Sequence, residues 1–177
     1  LPVLGVICTL AQITTADGYS APGMHWHNEK TNWYYDSSLP SYMRTATDAG
    51  ANTWTAGTPY FSFTKSSSSG NRVYWLDIDG PHGTLAYSWY YYWPTGHLYD
   101  ANFKYDRAEK WNYSISRLPS SQEYDAWSVA AHEFGHWLVL NHSSVRSAVM
   151  YSSFNRGEYR RALDRDDKNG VAHIYAN

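Results

Sequence analysis

The sequence predicts a single domain of the α+β class. Its 177 residues suit one domain with a substantial hydrophobic core. Several short segments rich in aromatic and β-branched residues show the two-residue alternation of strands. Three other segments repeat apolar residues at the 3.6-residue spacing of helices.

Turn-forming residues separate the strand segments. A serine run at 66–69, followed by Gly70 and Asn71, is typical of a solvated turn. The predicted strands are 31–38, 59–65, 71–78, 83–93 and 100–106.

The first and last helices have clear ends. The first is predicted over 41–57, where it follows Pro40 and ends at Gly57. The last follows Leu163, with Asp164 as its N-cap. Its core face is predicted to consist of Val171, Ile174 and Tyr175.

The second helix carries two chemically different faces. It is predicted to begin at Ser120, because Ser120 and Glu123 have the spacing of a capping box. His132 and His136 lie one turn apart on one face, so they are not expected in the core. The apolar face comprises Tyr124, Trp127, Ala131, Phe134 and Leu138.

The composition limits the expected partners. The formal net charge is −2, and the sequence has neither a basic run nor an apolar stretch of about 18 residues. We therefore expect neither a nucleic-acid nor a membrane partner. Separately, we expect a monomer. The 17 Tyr and 9 Trp suit either a surface that handles polypeptide or glycan, or a tyrosine-rich core.

A cluster of histidines indicates the chemistry. Residues 132–136, HEFGH, form an H-E-x-x-H motif, whose two histidines can reach one zinc ion from the same helix face. Glu133 stands where it can hydrogen-bond a zinc-bound water. His142 can become a third ligand only if the helix ends before it. The alternative is a pair of surface histidines on an amphipathic helix.

This segment resembles the matrixins, the matrix-metalloproteinase branch of the metzincin zinc proteases. A third histidine and a later methionine complete the metzincin signature, and 129–143 and 148–154 are similar to the matrixin helix and Met-turn. The similarity extends over 31–177. It implies a twisted mixed sheet with an antiparallel edge strand, two long helices, a Met-turn with Met150 beneath the zinc, and a C-terminal helix.

The resemblance implies a secreted zinc endopeptidase that acts on proteins or peptides. Zn²⁺ held by His132, His136 and His142 would activate a water, with Glu133 as general base. An extended substrate would pair with the edge strand. We expect the substrate residue on the C-terminal side of the scissile bond to be apolar. The implied substrate-binding residues are Leu85, Ala86, Val129, Tyr151, Ser152, Ser153 and Phe154.

Val139 stands where the family has glycine. Glycine there allows a positive φ, which costs other residues roughly 1–2 kcal/mol. We predict that Asn141 takes the positive φ and that Val139 stays helical; a strained Val139 is the alternative. Val139 also favours a second hypothesis, a zinc-stabilised inactive pseudoprotease that binds peptide or glycan. A metalloprotease with a glutamate as third ligand is a further possibility, which His142 opposes.

The resemblance also implies a calcium site but not the family's structural zinc. Tyr87 and Lys104 stand where that zinc would need histidines. Of the remaining histidines, His25 and His27 share a strand face, but all are expected to be scattered over the surface. The implied Ca²⁺ ligands are the carboxylates of Asp79, Asp106 and Glu109 and the carbonyls of Gly80, His82 and Thr84.

The first residues resemble a processed leader. Residues 1–11 are apolar and end in small residues, as signal peptides do. We predict a leader over 1–23 and the catalytic domain over 24–177. Cys8 is the only cysteine, so an internal disulfide is excluded. Its thiolate could instead ligate zinc in a precursor.

Overall fold

A mixed six-stranded sheet with helices forms the centre of the computed structural model, which describes residues 23–176. Residues 1–22 of the predicted leader, with Cys8 among them, lie outside the described residues. The helices are α1 (Ser41–Gly57), α2 (Ala126–Trp137) and α3 (Arg165–Tyr175). None of them is long and apolar enough to cross a membrane. The strands are β1 (His25–Trp26), β2 (Lys30–Tyr35), β3 (Ser62–Lys65), β4 (Arg72–Leu76), β5 (Ala86–Tyr92), β6 (His97–Asp106), β7 (Trp111–Asn112) and β8 (Tyr124–Asp125).

The sheet is parallel except at one edge. Its order is β1-β6-β4-β2-β3, and these neighbours all run parallel. β5 pairs antiparallel with β6, with Ser88 opposite Phe103. The predicted antiparallel edge strand is therefore confirmed, and the five predicted strands correspond to β2 to β6. The short strand β1 and the parallel pair of β7 and β8 were not predicted.

Close contact between α1 and α2 fixes the helix that carries the histidines. α1 has the predicted bounds. A Cβ on Gly50 would meet Ala130 and lie 2.8 Å from the backbone nitrogen of Ala131, so only glycine allows this approach. Trp54, which is fully buried, donates its Nε1–H to the Ala131 carbonyl at 2.7 Å. The two helices thus touch through backbone and small residues.

The predicted start of α2 at Ser120 is wrong. Tyr124 and Asp125 are extended and pair with β7, so the helix begins at Ala126. Asp125 is the N-cap and accepts from the Ser128 N–H at 3.2 Å. Glu123 does accept from the Ser120 N–H at 3.0 Å, as in a capping box, but the two residues close an isolated turn.

The last helix matches its prediction. Asp164 is the N-cap, and a complete capping box joins it to Asp167. Val171 and Tyr175 are buried, and Ile174 packs against the core.

Candidate metal centre and cleft

Three histidines converge at one end of α2. His132 and His136 extend from the helix, and His142 approaches from the segment that follows it. One nitrogen from each ring lies within 4.8 Å of the others, which is close enough for the three rings to hold one metal ion after small side-chain adjustments. Within residues 23–176 no other three His, Cys, Asp or Glu side chains meet so closely as they stand.

Backbone carbonyls orient two of the rings. Nδ1–H of His132 donates to the Val149 carbonyl at 2.8 Å, and Nδ1–H of His136 donates to the Leu140 carbonyl at 2.8 Å. Because a carbonyl can only accept, each Nδ1 carries the proton. The Nε2 lone pair of each ring is therefore available to a metal ion, as in most histidine metal sites.

Burial keeps all three imidazoles neutral. Desolvation lowers the pKa of His132 well below its usual value and that of His136 to about 4, with the neighbouring histidines adding repulsion. Desolvation also lowers the pKa of His142. Neutral imidazole is the form that binds metal, so the residues fit zinc without first having to lose protons near pH 7.

Val139 ends α2 in the left-handed conformation that glycine favours. Its φ is 64°, so the prediction that Asn141 takes the positive φ is wrong. The Val139 N–H donates to the His136 carbonyl at 2.9 Å and the Leu140 N–H to the Gly135 carbonyl at 3.2 Å, which together form a Schellman motif.

Burial offsets the strain at Val139. The left-handed conformation costs about 1–2 kcal/mol, but the side chain is 1% exposed, and burying valine contributes about 1.5–3 kcal/mol. The turn also places the Leu140 carbonyl against His136. Val139 therefore gives no support to an inactive site, because the third histidine still reaches the other two.

The segment after His142 is held by the start of α3. Asp167 accepts from the N–H groups of Val149 and Met150 at 2.8 and 3.1 Å. Met150 is 1% exposed, and a Cβ on Gly135 would collide with its sulfur. The predicted role of Met150 as a packing floor beneath the histidines agrees with this position.

Glu133 is buried beside the histidines and, within residues 23–176, its carboxylate has one side-chain hydrogen-bond partner. Ser88 on β5 donates its hydroxyl to Glu133 Oε2 at 2.6 Å. Burial raises the pKa of Glu133 to about 7, while the Ser88 hydrogen bond opposes this rise. Sequence alone does not point to Ser88, because the two residues are 45 positions apart and only the β5 register brings them together.

An open cleft of about 590 Å³ runs past the histidines and Glu133. One wall is the segment 83–90, and the other is formed by α2 and the segment 151–154. Asn141 lines this cleft and does not take the positive φ that follows α2. Tyr90 also lines the cleft and was not predicted to do so. All seven predicted substrate-binding residues line it, namely Leu85, Ala86, Val129, Tyr151, Ser152, Ser153 and Phe154.

The loop proposed for calcium is organised around Glu109. Glu109 Oε1 accepts from the N–H groups of His82 and Gly83, the latter at 3.1 Å. Its Oε2 is buried and makes no hydrogen bond to the described residues, and the Arg156 guanidinium lies 3.5 Å away. Arg156 balances the charge of Glu109 alone, so a further cation would be needed only for the other acidic residues of this loop, Asp79 and Asp106.

The other two acidic residues also bind the loop backbone. Asp106 Oδ2 accepts from the Asp79 N–H at 3.2 Å, and Asp79 accepts from the Thr84 N–H at 3.0 Å. The carboxylates of Asp79, Asp106 and Glu109 surround one loop but are not as close together as the histidines. Their arrangement is compatible with a loose oxygen site rather than a preformed one.

Comparisons with known proteins agree with the geometry. The matrixin family model matches residues 26–176. The chain is 32% identical over 185 residues to Metalloendoproteinase 5-MMP of Arabidopsis thaliana, covering 92% of this chain and 49% of that protein. It is 38% identical over 107 residues to stromelysin-3 of Mus musculus (58% and 20%) and 43% identical over 83 residues to matrix metalloproteinase-9 of Canis lupus familiaris (45% and 11%). The chain spans about half or less of these relatives. Because the family model covers nearly all of the described fold and the three histidines meet as its zinc site requires, the chain belongs to the matrixin family.

Proposed function

We propose that this matrixin is a secreted, monomeric zinc endopeptidase that hydrolyses peptide bonds in extended polypeptides. The convergence of three neutral, oriented imidazoles beside a buried glutamate carries the proposal. The open cleft along an edge strand supports a polymeric substrate, because both ends of a bound chain can leave it.

His132, His136 and His142 would hold the zinc ion, which would supply a Lewis acid to activate water and to polarise the scissile carbonyl. Glu133 takes a proton from the attacking water and returns it to the leaving nitrogen. A pKa near 7 suits a group that must both accept and release a proton at neutral pH. Ser88 holds Oε2 of Glu133 in place during both transfers.

The substrate would lie along β5. One edge of β5 pairs with β6, and the segment also lines the cleft, so an extended peptide can add to it as a further strand. Val129, Tyr151 and Phe154 give the far wall an apolar character. We therefore propose a preference for an apolar residue immediately after the cut.

Zinc content and cleavage test the proposal together. Glu133→Gln should retain zinc but lose about 100- to 10,000-fold in kcat/KM on a peptide library, because it lacks the base. Glu29→Gln, which alters an exposed glutamate, is the matched control and should cleave normally. Wild-type protein that holds zinc and cleaves nothing would favour the binding-module alternative, and wild-type protein without zinc would contradict both.

We also propose that Ca²⁺ binds the loop 79–84 together with Asp106 and Glu109. Oε2 of Glu109 is buried and accepts no hydrogen bond within residues 23–176, which supports this, and extracellular calcium concentrations suit weak sites of this type. Millimolar Ca²⁺ should raise the melting temperature of wild type but not of Glu109→Gln. An unchanged melting temperature in wild type would assign Arg156 as the only cation of this loop.

A further inference from the structure

Three histidines outside the cleft meet where β1 pairs with β6. His25 lies opposite His97 in the parallel register, and their ring centroids are 4.7 Å apart. His27 follows two residues later, and its ring centroid is 5.0 Å from that of His97. The rings of the zinc-site trio are 4.8 to 5.2 Å apart. The expectation that the remaining histidines are scattered is therefore wrong for these three.

The core anchors the chain that presents His25 and His27. Trp26, the residue between them, is 7% exposed, and its Nε1–H donates to the Trp137 carbonyl at 2.7 Å. Its backbone N–H donates to the Tyr175 hydroxyl at 3.3 Å. Since successive side chains of an extended chain point in opposite directions, burying Trp26 directs both histidines away from the core.

His97 contributes a ring nitrogen that the fold leaves without a partner. Its Nδ1 is buried and makes no hydrogen bond within the described part of the chain. Leaving such a group unpaired is unfavourable, and a metal ion can satisfy it because imidazole nitrogen is a common ligand. The unpaired nitrogen lies on the central ring of the three.

We propose that His25, His27 and His97 bind a second divalent transition metal of the zinc and copper class. Three imidazoles without carboxylates favour such ions over Ca²⁺ or Mg²⁺. As the side chains stand, their nitrogens do not all lie within 4.8 Å of one another, unlike those of the zinc-site trio. His27 is exposed, so rotation of its side chain closes the site around the anchored pair of His25 and His97.

Zinc stoichiometry, independent of any peptidase activity, tests this site. Titration of metal-free protein followed by elemental analysis should give two bound zinc ions in wild type. His27→Gln should weaken the second zinc at least about tenfold, because one of its ligands is lost. His97→Gln should do the same, and His173→Gln, which changes an exposed histidine of α3, should keep both ions.

His27→Gln decides the outcome, since replacing an exposed side chain leaves the core intact. One zinc ion in saturated wild type would overturn the second site. A His27→Gln variant that binds two ions as tightly as wild type would also overturn it. Loss of the second ion in His173→Gln as well would assign it to nonspecific surface binding.

Discussion

Replacing Ser88 with alanine removes the side-chain hydrogen bond that the described part of the chain provides to the Glu133 carboxylate. The Ser88 hydroxyl donates to Oε2 at 2.6 Å, so it stabilises the ionised carboxylate more than the protonated acid. Hydrogen bonds to charged groups contribute about 1.5–3 kcal/mol and neutral ones about 0.5–1.5 kcal/mol. The difference, about 1 kcal/mol, corresponds to somewhat less than one pKa unit. Ser88→Ala should therefore raise the pKa of Glu133.

The assay is the pH dependence of kcat/KM for the zinc-loaded enzyme. In Ser88→Ala the acidic limb should shift to higher pH by about 0.7 to 1 pH unit. At pH values below the pKa of Glu133, kcat/KM should therefore fall roughly five- to tenfold, and at pH values above it kcat/KM should change little. Ser88→Thr, which keeps the hydroxyl, should restore the wild-type limb. Ser152→Ala, another serine of the cleft, should leave it unmoved. An unmoved limb in Ser88→Ala would refute the assignment of Ser88 as the group that tunes Glu133.

Four further predictions concern stability. Val139→Gly should be about 1 kcal/mol more stable than Val139→Ala in denaturant titrations of the zinc-loaded protein, because only alanine keeps the left-handed strain; the reverse order would contradict the φ of 64°. Burial raises the folded pKa of Glu133 above its unfolded value, so its contribution to metal-free stability is present below pH 4.5 and is lost as pH rises through about 7. In Glu133→Gln this loss of stability, about 3 kcal/mol, should be absent. A curve of stability against pH that runs parallel to that of wild type would refute the prediction. Gly50→Ala should cost about 1–3 kcal/mol by forcing α1 from α2, as thermal unfolding would show. Asp167→Asn should cost a similar amount, about 1–3 kcal/mol, because backbone donors lose an acceptor, and unchanged unfolding would contradict its role in holding the Met-turn.

Features encoded by local sequence were predictable. The spacing of apolar residues, with Pro40 before the helix and Gly57 at its end, predicted the bounds of α1. Asp164 as N-cap predicted the start of α3. The motif at 132–136 placed two histidines and a glutamate on one helix, because residues four apart share a helix face. These signals need no knowledge of distant contacts.

Features that depend on distant residues were not predictable. Tyr124 and Asp125 have helical spacing with the residues after them, but pairing with β7 makes them extended. Ser88 is one of many serines until the β5 register sets it against Glu133. The β-branched side chain of Val139 disfavours a positive φ, so local sequence argues against this residue at the end of α2. Its burial, at 1% exposure, explains why it is tolerated there.

The start of α3 belongs functionally to the metal centre, although it contributes no ligand. Asp167 holds the Val149 N–H, and the Val149 carbonyl in turn fixes the His132 ring. Asp166 accepts from the Ser143 hydroxyl at 2.6 Å, next to His142. Two adjacent acids at one helix terminus therefore position two of the three histidines that we propose as zinc ligands. Because the loss of a group that orients a ligand typically lowers metal affinity about 10- to 100-fold, removing either carboxylate should weaken zinc binding before it unfolds the sheet.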